Sequence, residues 1–275
     1  MKLRTDTLNR AAIRPYWAIV SARFRMLLQY RAAAVAGFVT QLFWGFIRVM
    51  IFGAFYRSTT APQPMTYPDV VTYIWLGQAM FAMLPYRSDD DMRTMVRSGT
   101  VAYEMLRPLD LYTFWFSRAV ATRFAPMLLR AIPMFVMAGL FFGLQLPASW
   151  VFTGAWVVAT LEALLLSSAI STLLGISLLW TIAGEGESSL ILGTVFILSG
   201  MIVPLPLFPD RAQPILNILP FRGLVDVPFR LYMGHIPDEE IISTLAHQLV
   251  WIVGLVAIGR RVLAQGKRRL VVQGG

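Results

Sequence analysis

The sequence predicts an all-α integral membrane protein with six transmembrane helices, and three observations predict it. Apolar residues of the Ala, Val, Ile, Leu, Met, Phe, Trp, Tyr and Cys group make up 57% of the 275 residues and charged residues only 14%, whereas a soluble domain is ~45–50% apolar and ~25% charged. The apolar residues gather into stretches near the ~20 that a helix needs to cross a ~30 Å hydrocarbon layer. The Lys and Arg residues sit almost entirely on alternate connections between those stretches.

Residues 1–31 carry seven basic residues (Lys2, Arg4, Arg10, Arg14, Arg23, Arg25, Arg31) with no apolar core before Ala32, so they do not read as a cleavable signal. From about Pro15 to Arg31, Tyr16, Val20, Phe24, Leu27 and Leu28 recur at helical spacing while Arg23 and Arg25 face elsewhere. This reads as an interfacial helix on the inner leaflet; the alternative is a cytoplasmic extension of the first span.

The spans follow at about 32–55, 69–86, 119–144, 150–180, 188–204 and 240–263, with a basic tail over 264–275. The whole of 1–275 forms a single transmembrane domain. Spans 2 and 5 are short. Span 4 is long and must tilt or extend beyond the bilayer. Of the 24 basic residues, 18 fall on one side (seven before span 1, six between spans 2 and 3 or at that edge, Arg123 among them, and five that close the chain from Arg260), four on the other (Arg57, Arg211, Arg222, Arg230) and two, Arg48 and Arg130, deeper within spans. Basic residues stay in the cytoplasm, so both termini belong there. The net charge of +9 reflects this sorting and not nucleic-acid binding. The connection from Thr181 to Ser189 departs from the pattern, with Glu185 and Glu187 and no basic residue.

Two connections are not loop-like. Between spans 2 and 3, Ser88-Asp89-Asp90-Asp91 suits a helix N-terminus, Arg97-Ser98-Gly99 breaks that helix, and a short amphipathic helix from Val101 to Arg107 ends at Pro108. Such a compact, charged, inner element is suited to touching a soluble partner. After span 5, Pro204, Pro206 and Pro209 interrupt an apolar run that extends to Leu219-Pro220-Phe221. Three prolines in six residues do not sustain a helix, and broken apolar backbone at membrane depth must be buried in protein or line a cavity. Residues 204–236 therefore read as short re-entrant or surface-hugging helices on the outer side, with Asp210, Arg211, Asp226 and Arg230 at their wet ends.

Three charges lie inside spans. Arg130 and Glu162 are each 16 residues from Leu146, which lies in the turn joining spans 3 and 4, or ~24 Å at 1.5 Å per residue. At that matched depth they form a helix–helix staple, serve a substrate or coupling role, or never meet; an unpaired charge there costs at least ~2.5–3.5 kcal/mol. Arg48 shares a face with Gln41, and the reading favours snorkelling or packing over ligand contact.

Several chemistries are not encoded. There is no cysteine and no GxxxxGK[ST] phosphate loop, so the chain is not itself expected to hydrolyse nucleotide. His235 and His247 lack a metal-ligand pattern, Asp89 to Asp91 read as a solvated cap, and Ser167, Ser168 and Ser171 suit close helix packing. No catalytic residue, metal or cofactor is expected in this chain.

Two motifs carry a family resemblance. The inner Arg97-Ser98-Gly99-Thr100-Val101-Ala102-Tyr103-Glu104-Met105-Leu106-Arg107-Pro108-Leu109 and the outer Ser199-Gly200 through Pro204, Phe208-Pro209, Leu219-Pro220-Phe221 and Met233-Gly234 resemble, in order, spacing and side, those of ABC-2 type permease subunits with six spans. The inner motif has Val-Ala-Tyr before Glu104 where the family more commonly has G-T-x-E. The resemblance covers most of 1–265. It implies a bacterial inner-membrane permease that works in export, and the chain's own aromatic and Met side chains suit a hydrophobic or amphiphilic cargo. It implies as partners a cytosolic ABC ATPase (which holds the ATP and Mg), a second permease, identical or related, and membrane lipids. It places ATPase coupling at Gly99, Val101, Tyr103, Glu104, Leu106, Arg107 and Pro108, and an outer gate at Gly200, Pro204, Phe208, Pro209 and Pro220. A stand-alone secondary transporter, for which only Arg130 and Glu162 qualify as midplane charges, and a membrane enzyme acting on lipid-linked substrates are the alternatives.

Overall fold

A capping box opens a helix that is buried from Val70 to Met80: Asp69 N–H donates to Thr66 Oγ1 at 3.4 Å while the Asp69 carboxylate accepts from Thr66 N–H at 3.1 Å, which satisfies two of the amides that a helix start leaves unpaired. The computed structural model describes residues 2–29, 31–85, 90–179 and 185–267. The helices are α1 (Lys2–Leu28), α2 (Arg31–Ser58), α3 (Tyr67–Met80), α4 (Asp90–Arg97), α5 (Val101–Met105), α6 (Leu111–Phe141), α7 (Trp150–Ser177), α8 (Glu185–Leu198), α9 (Gln213–Ile218), α10 (Asp226–Tyr232) and α11 (Ile241–Lys267). Short 3₁₀ turns cover Phe81–Met83, Leu205–Leu207, Pro220–Leu224 and Asp238–Glu240. No strand occurs among the described residues, and Thr181 and Asp89 fall outside them.

Among the described residues four helices are long and apolar enough to cross a membrane: Ala32–Ser58, Leu111–Phe141, Trp150–Ser177 and Asp238–Lys267. The short second and fifth stretches become α3 and α8, of 14 residues each, or ~21 Å at 1.5 Å per residue, less than the hydrocarbon thickness. The third helix begins eight residues earlier than the expected position 119. Asp110 caps it, its carboxylate accepting from Thr113 N–H at 2.9 Å, and the extra turns bury Leu111, Tyr112, Phe114 and Trp115.

α1 and α2 flank α6 in succession, all three running the same way. The Tyr16 hydroxyl accepts from Asp110 N–H at 3.0 Å, Phe24 packs on Phe124 with ring centroids 5.7 Å apart, Gly37 lies against the Arg130 guanidinium, and Phe46 meets Phe142 at 4.6 Å. α7 forms the centre. Its small residues Ala155 and Ala159 admit Val227 and Leu231 of α10 and Ile241 of α11 into one cluster, because a short side chain lets neighbouring backbones approach.

The bundle has two distinct ends. At one, the beginning of α6 meets the last turns of α11, with Arg260 Nη2 donating to Thr113 Oγ1 at 3.0 Å, and α5 packs beside them. At the other, His235 Nε2 lies 3.5 Å from the Asp69 carboxylate, Gln145 N–H donates to Thr72 Oγ1 at 3.1 Å, and Ala148 N–H donates to the Tyr232 carbonyl at 3.2 Å.

Candidate functional site

A five-residue helix has too few internal hydrogen bonds to persist alone, so α5 must be held by what lies behind it. α4 stops at Arg97, and the chain reverses through Gly99 at φ +72°, where a β-carbon is disfavoured. From there Val101 enters a buried cluster with Met92, Leu111, Trp115 and Ile176. Glu104 also turns inward. It is 7% exposed, accepts from Trp115 Nε1 at 2.8 Å and lies 3.5 Å from Arg118 Nη1. The outward face is the reverse: Tyr103 is 72% exposed and Leu106 80%, Arg107 stacks its guanidinium 5.3 Å above the Phe114 ring, and Pro108 lies exposed beyond the helix end. The seven residues expected to meet a partner thus divide. Val101 and Glu104 anchor the helix, Gly99 turns the chain, and Tyr103, Leu106, Arg107 and Pro108 are presented.

At the opposite end, residues 199–236 fold into the bundle. Gly200 has φ +86°, and a β-carbon there would collide with the Tyr73 hydroxyl, so close packing and backbone conformation both require glycine. Asp226 N–H donates to the Ser199 carbonyl at 3.2 Å, joining α10 to the end of α8. Buried Pro204 opens a 3₁₀ turn, and Gln213 Nε2 ties that turn to α9 by donating to the Leu205 and Phe208 carbonyls at 2.8 and 3.1 Å. Phe208 is half-buried and Pro209 exposed. Buried Pro220 begins the next 3₁₀ turn, which brings Gly223 against Leu166 and Gln248. Gln248 Nε2 then donates to both the Ala159 and Gly223 carbonyls at 2.9 Å.

The expected wet ends are only half wet. Asp210 and Arg211 are exposed, but Asp226 is 1% exposed. Its carboxyl lies beside the Tyr73 hydroxyl and 3.7 Å from Arg230 Nη1. Burial pushes the carboxyl above its usual range, with Arg230 and Arg222 pulling the other way. Asp226 opens α10 among buried residues, where Arg230 and Arg222 only partly offset the cost of burying its carboxylate.

Arg48 is turned into the protein and does not snorkel. Its Nη2 donates to the Ile202 carbonyl at 2.9 Å. With the Gln78 amide oriented to suit its neighbours, the Gln78 oxygen accepts from Arg48 Nη1 at 3.3 Å and its nitrogen donates to the Gln41 carbonyl at 3.2 Å. One guanidinium therefore links α2, α3 and the turn after α8. Arg130 and Glu162, by contrast, form no ion pair among the described residues. Arg130 faces α2 at Gly37, and Glu162 Oε2 is buried without a hydrogen-bond partner.

Arg123 was expected among the cytoplasmic charges at the edge of span 3, yet it lies buried inside the bundle. Its Nε donates to Ser167 Oγ at 3.0 Å and its Nη2 to Ser171 Oγ, while Ser167 Oγ donates in turn to the Met83 carbonyl. The signal available in the sequence was the pair Ser167 and Ser171, four apart on one face of α7.

A sequence-family profile described as ABC-2 family transporter protein matches residues 39–274. No curated protein matches the chain.

Proposed function

The chain belongs to the ABC-2 transporter family, a family of multi-pass membrane transport components that are not themselves ATPases, and from that premise we propose that it is the permease half of an ATP-driven exporter. A separate cytosolic ATPase docks on α5, ATP and Mg residing on that partner. Two permeases pair, and the six apolar stretches all cross a bacterial inner membrane with both termini in the cytoplasm. The observation that carries this reading is α5 itself. A helix too short to stand alone is fixed from behind by Val101 and Glu104 and offers Tyr103 and Leu106, both largely exposed, to a soluble partner. ATP binding rocks the spans only through differential affinity for two conformations, so the docking helix must be rigidly joined to a long helix. The Glu104 bonds to Trp115 and Arg118 of α6 supply that joint.

Residues 199–236 form the outer gate in this scheme, re-entering the membrane from outside. Arg48 reaches their first turn through the Ile202 carbonyl, which supports a mechanical link between the first span and the gate. The cargo is hydrophobic or amphiphilic.

The test is affinity purification of the tagged chain from its host in mild detergent, with mass spectrometry of the eluate. The expected result is one P-loop ATPase per permease and a second permease chain. Leu106→Asp is expected to lose the ATPase and leave the permease yield unchanged. Recovery of a lone, monodisperse chain from the parent sequence overturns the reading.

A further inference from the structure

At the α5 end, the start of α6 and the end of α11 border an open recess of about 320 Å³ lined by Asp110, Tyr112, Arg260, Leu263, Ala264 and Lys267. α11 has 27 residues, or ~40 Å at 1.5 Å per residue, against a hydrocarbon layer of ~30 Å. The helix is longer than that layer is thick, and with both termini in the cytoplasm, as proposed above, its last turns reach the inner headgroup layer.

The groups in the recess are not all satisfied within the chain. Asp110 is: burial opposes its charge, but the Thr113 hydroxyl and amide and Arg260 together hold its carboxyl below the usual range. Arg260 answers Asp110 at 3.5 Å and caps the Tyr112 ring at 5.3 Å. Lys267 is different. It forms no ion pair among the described residues and acts on Asp110 only through space. Tyr112 is the second unsatisfied group, for its hydroxyl is buried with no hydrogen-bond partner. One Asp against Arg260 and Lys267 leaves a positive excess, and beside it stand an idle hydroxyl donor and the apolar wall of Leu263 and Ala264.

We propose that this recess binds the phosphate headgroup of an anionic phospholipid of the inner leaflet, with Lys267 and Arg260 matching its charge, the Tyr112 hydroxyl donating to a phosphate oxygen, and the acyl chains running along α11 from Leu263. A basic recess between helices at the cytoplasmic surface suits such a headgroup, since each basic residue near the surface contributes ~1 kcal/mol of attraction to anionic lipid. The acyl chains are what select a lipid over a free phosphate. The recess adjoins the base of the α5 element, because Asp110 follows directly on Pro108 and Leu109 and its amide is held by Tyr16. A bound lipid would thus brace α11 against the helix that carries the docking element. The inference rests on the membrane orientation proposed above but not on the ATPase.

The experiment uses the purified full chain in neutral detergent, titrated separately with phosphatidylglycerol, phosphatidylcholine and sodium phosphate and read by native mass spectrometry. One phosphatidylglycerol per chain is expected to bind saturably and in preference to phosphatidylcholine. Lys267→Ala is expected to weaken it about fivefold and Tyr112→Phe about threefold. Arg261→Ala, exposed and outside the recess, is expected to leave it within about twofold. Equal losses from Lys267→Ala and Arg261→Ala would overturn the site in favour of diffuse surface attraction. Phosphate binding that depends on Lys267 and Tyr112, with phosphatidylglycerol ignored, would overturn the lipid assignment. No ATPase is needed, so a chain that recruits none can still pass this test, and one that recruits its ATPase can still fail it.

Discussion

Glu104 accepts the indole N–H of Trp115 at 2.8 Å across eleven residues, and this bond decides which face of α5 looks outward. A hydrogen bond to a charged group contributes ~1.5–3 kcal/mol. Glu104→Ala is therefore expected to lower the melting temperature of the purified chain and to weaken ATPase recovery with it, and Trp115→Phe to reproduce most of the thermal loss. The double variant should lose less than the sum. Leu106→Ala, on the exposed face, should stay within about 0.5 kcal/mol of the parent. If Glu104→Ala melts like the parent, Val101 alone holds the helix.

Gly200 sits under the Tyr73 hydroxyl. Gly200→Ala is expected to destabilise by at least ~1–3 kcal/mol for the left-handed backbone alone, with the clash of the new methyl against the Tyr73 hydroxyl adding to it. Adding Tyr73→Phe removes the colliding oxygen and should recover the second part only. Thermal melts of the single and double variants separate the two, and no recovery would assign the whole cost to φ.

Arg48 works as a fork, one arm on the Ile202 carbonyl and the other on Gln78. A lysine ammonium is a single point and does not span both acceptors. Arg48→Lys is thus expected to lose most of what Arg48→Ala loses, both in thermal stability and in transport. A lysine variant indistinguishable from the parent would show that only the charge matters.

The Asp226 carboxyl is raised by burial in spite of Arg230 and Arg222, so the folded chain holds that proton more tightly than the unfolded chain. Its contribution to stability is full below the unfolded value and is lost as pH rises through the folded value. Asp226→Asn, which does not ionise, escapes that loss. Its melting temperature relative to the parent should rise with pH across this window and converge in acid. The opposite trend would mean that the Arg230 pair outweighs burial.

What was legible in the sequence was whatever depends on distance along the chain. Gly99 and Pro108 bracket α5 because a turn and a helix stop are local, and the short second and fifth stretches are short for the same reason. What was not legible depends on rotation about a helix axis. The 1.5 Å rise fixes Arg130 and Glu162 at one depth, but only the packing of α2 on α6 shows that Arg130 faces Gly37 instead. The side of the membrane says nothing about facing either, so Arg123 counted as a surface charge until α7 placed Ser167 and Ser171 before it. Glu104 belongs to the same class, since a five-residue helix has no periodicity of its own to reveal its inner face. Asp226 was misplaced because the prolines show that the chain breaks but not how deep the break lies.

Gln248 binds the carbonyls of Ala159 and Gly223 at once, and this has a consequence for biosynthesis. The segment from Ser199 to Ile236 is made before α11, but its inner wall is completed only when α11 arrives and Gln248 closes over Gly223. A nascent chain halted before Ile241 therefore carries Asp226, Arg222 and Arg230 with part of their shelter missing. Final sealing of this unit is tied to the arrival of the last helix, so premature termination at the start of α11 leaves Gly223 and the α10 face without the cover that Gln248 and Ile241 supply.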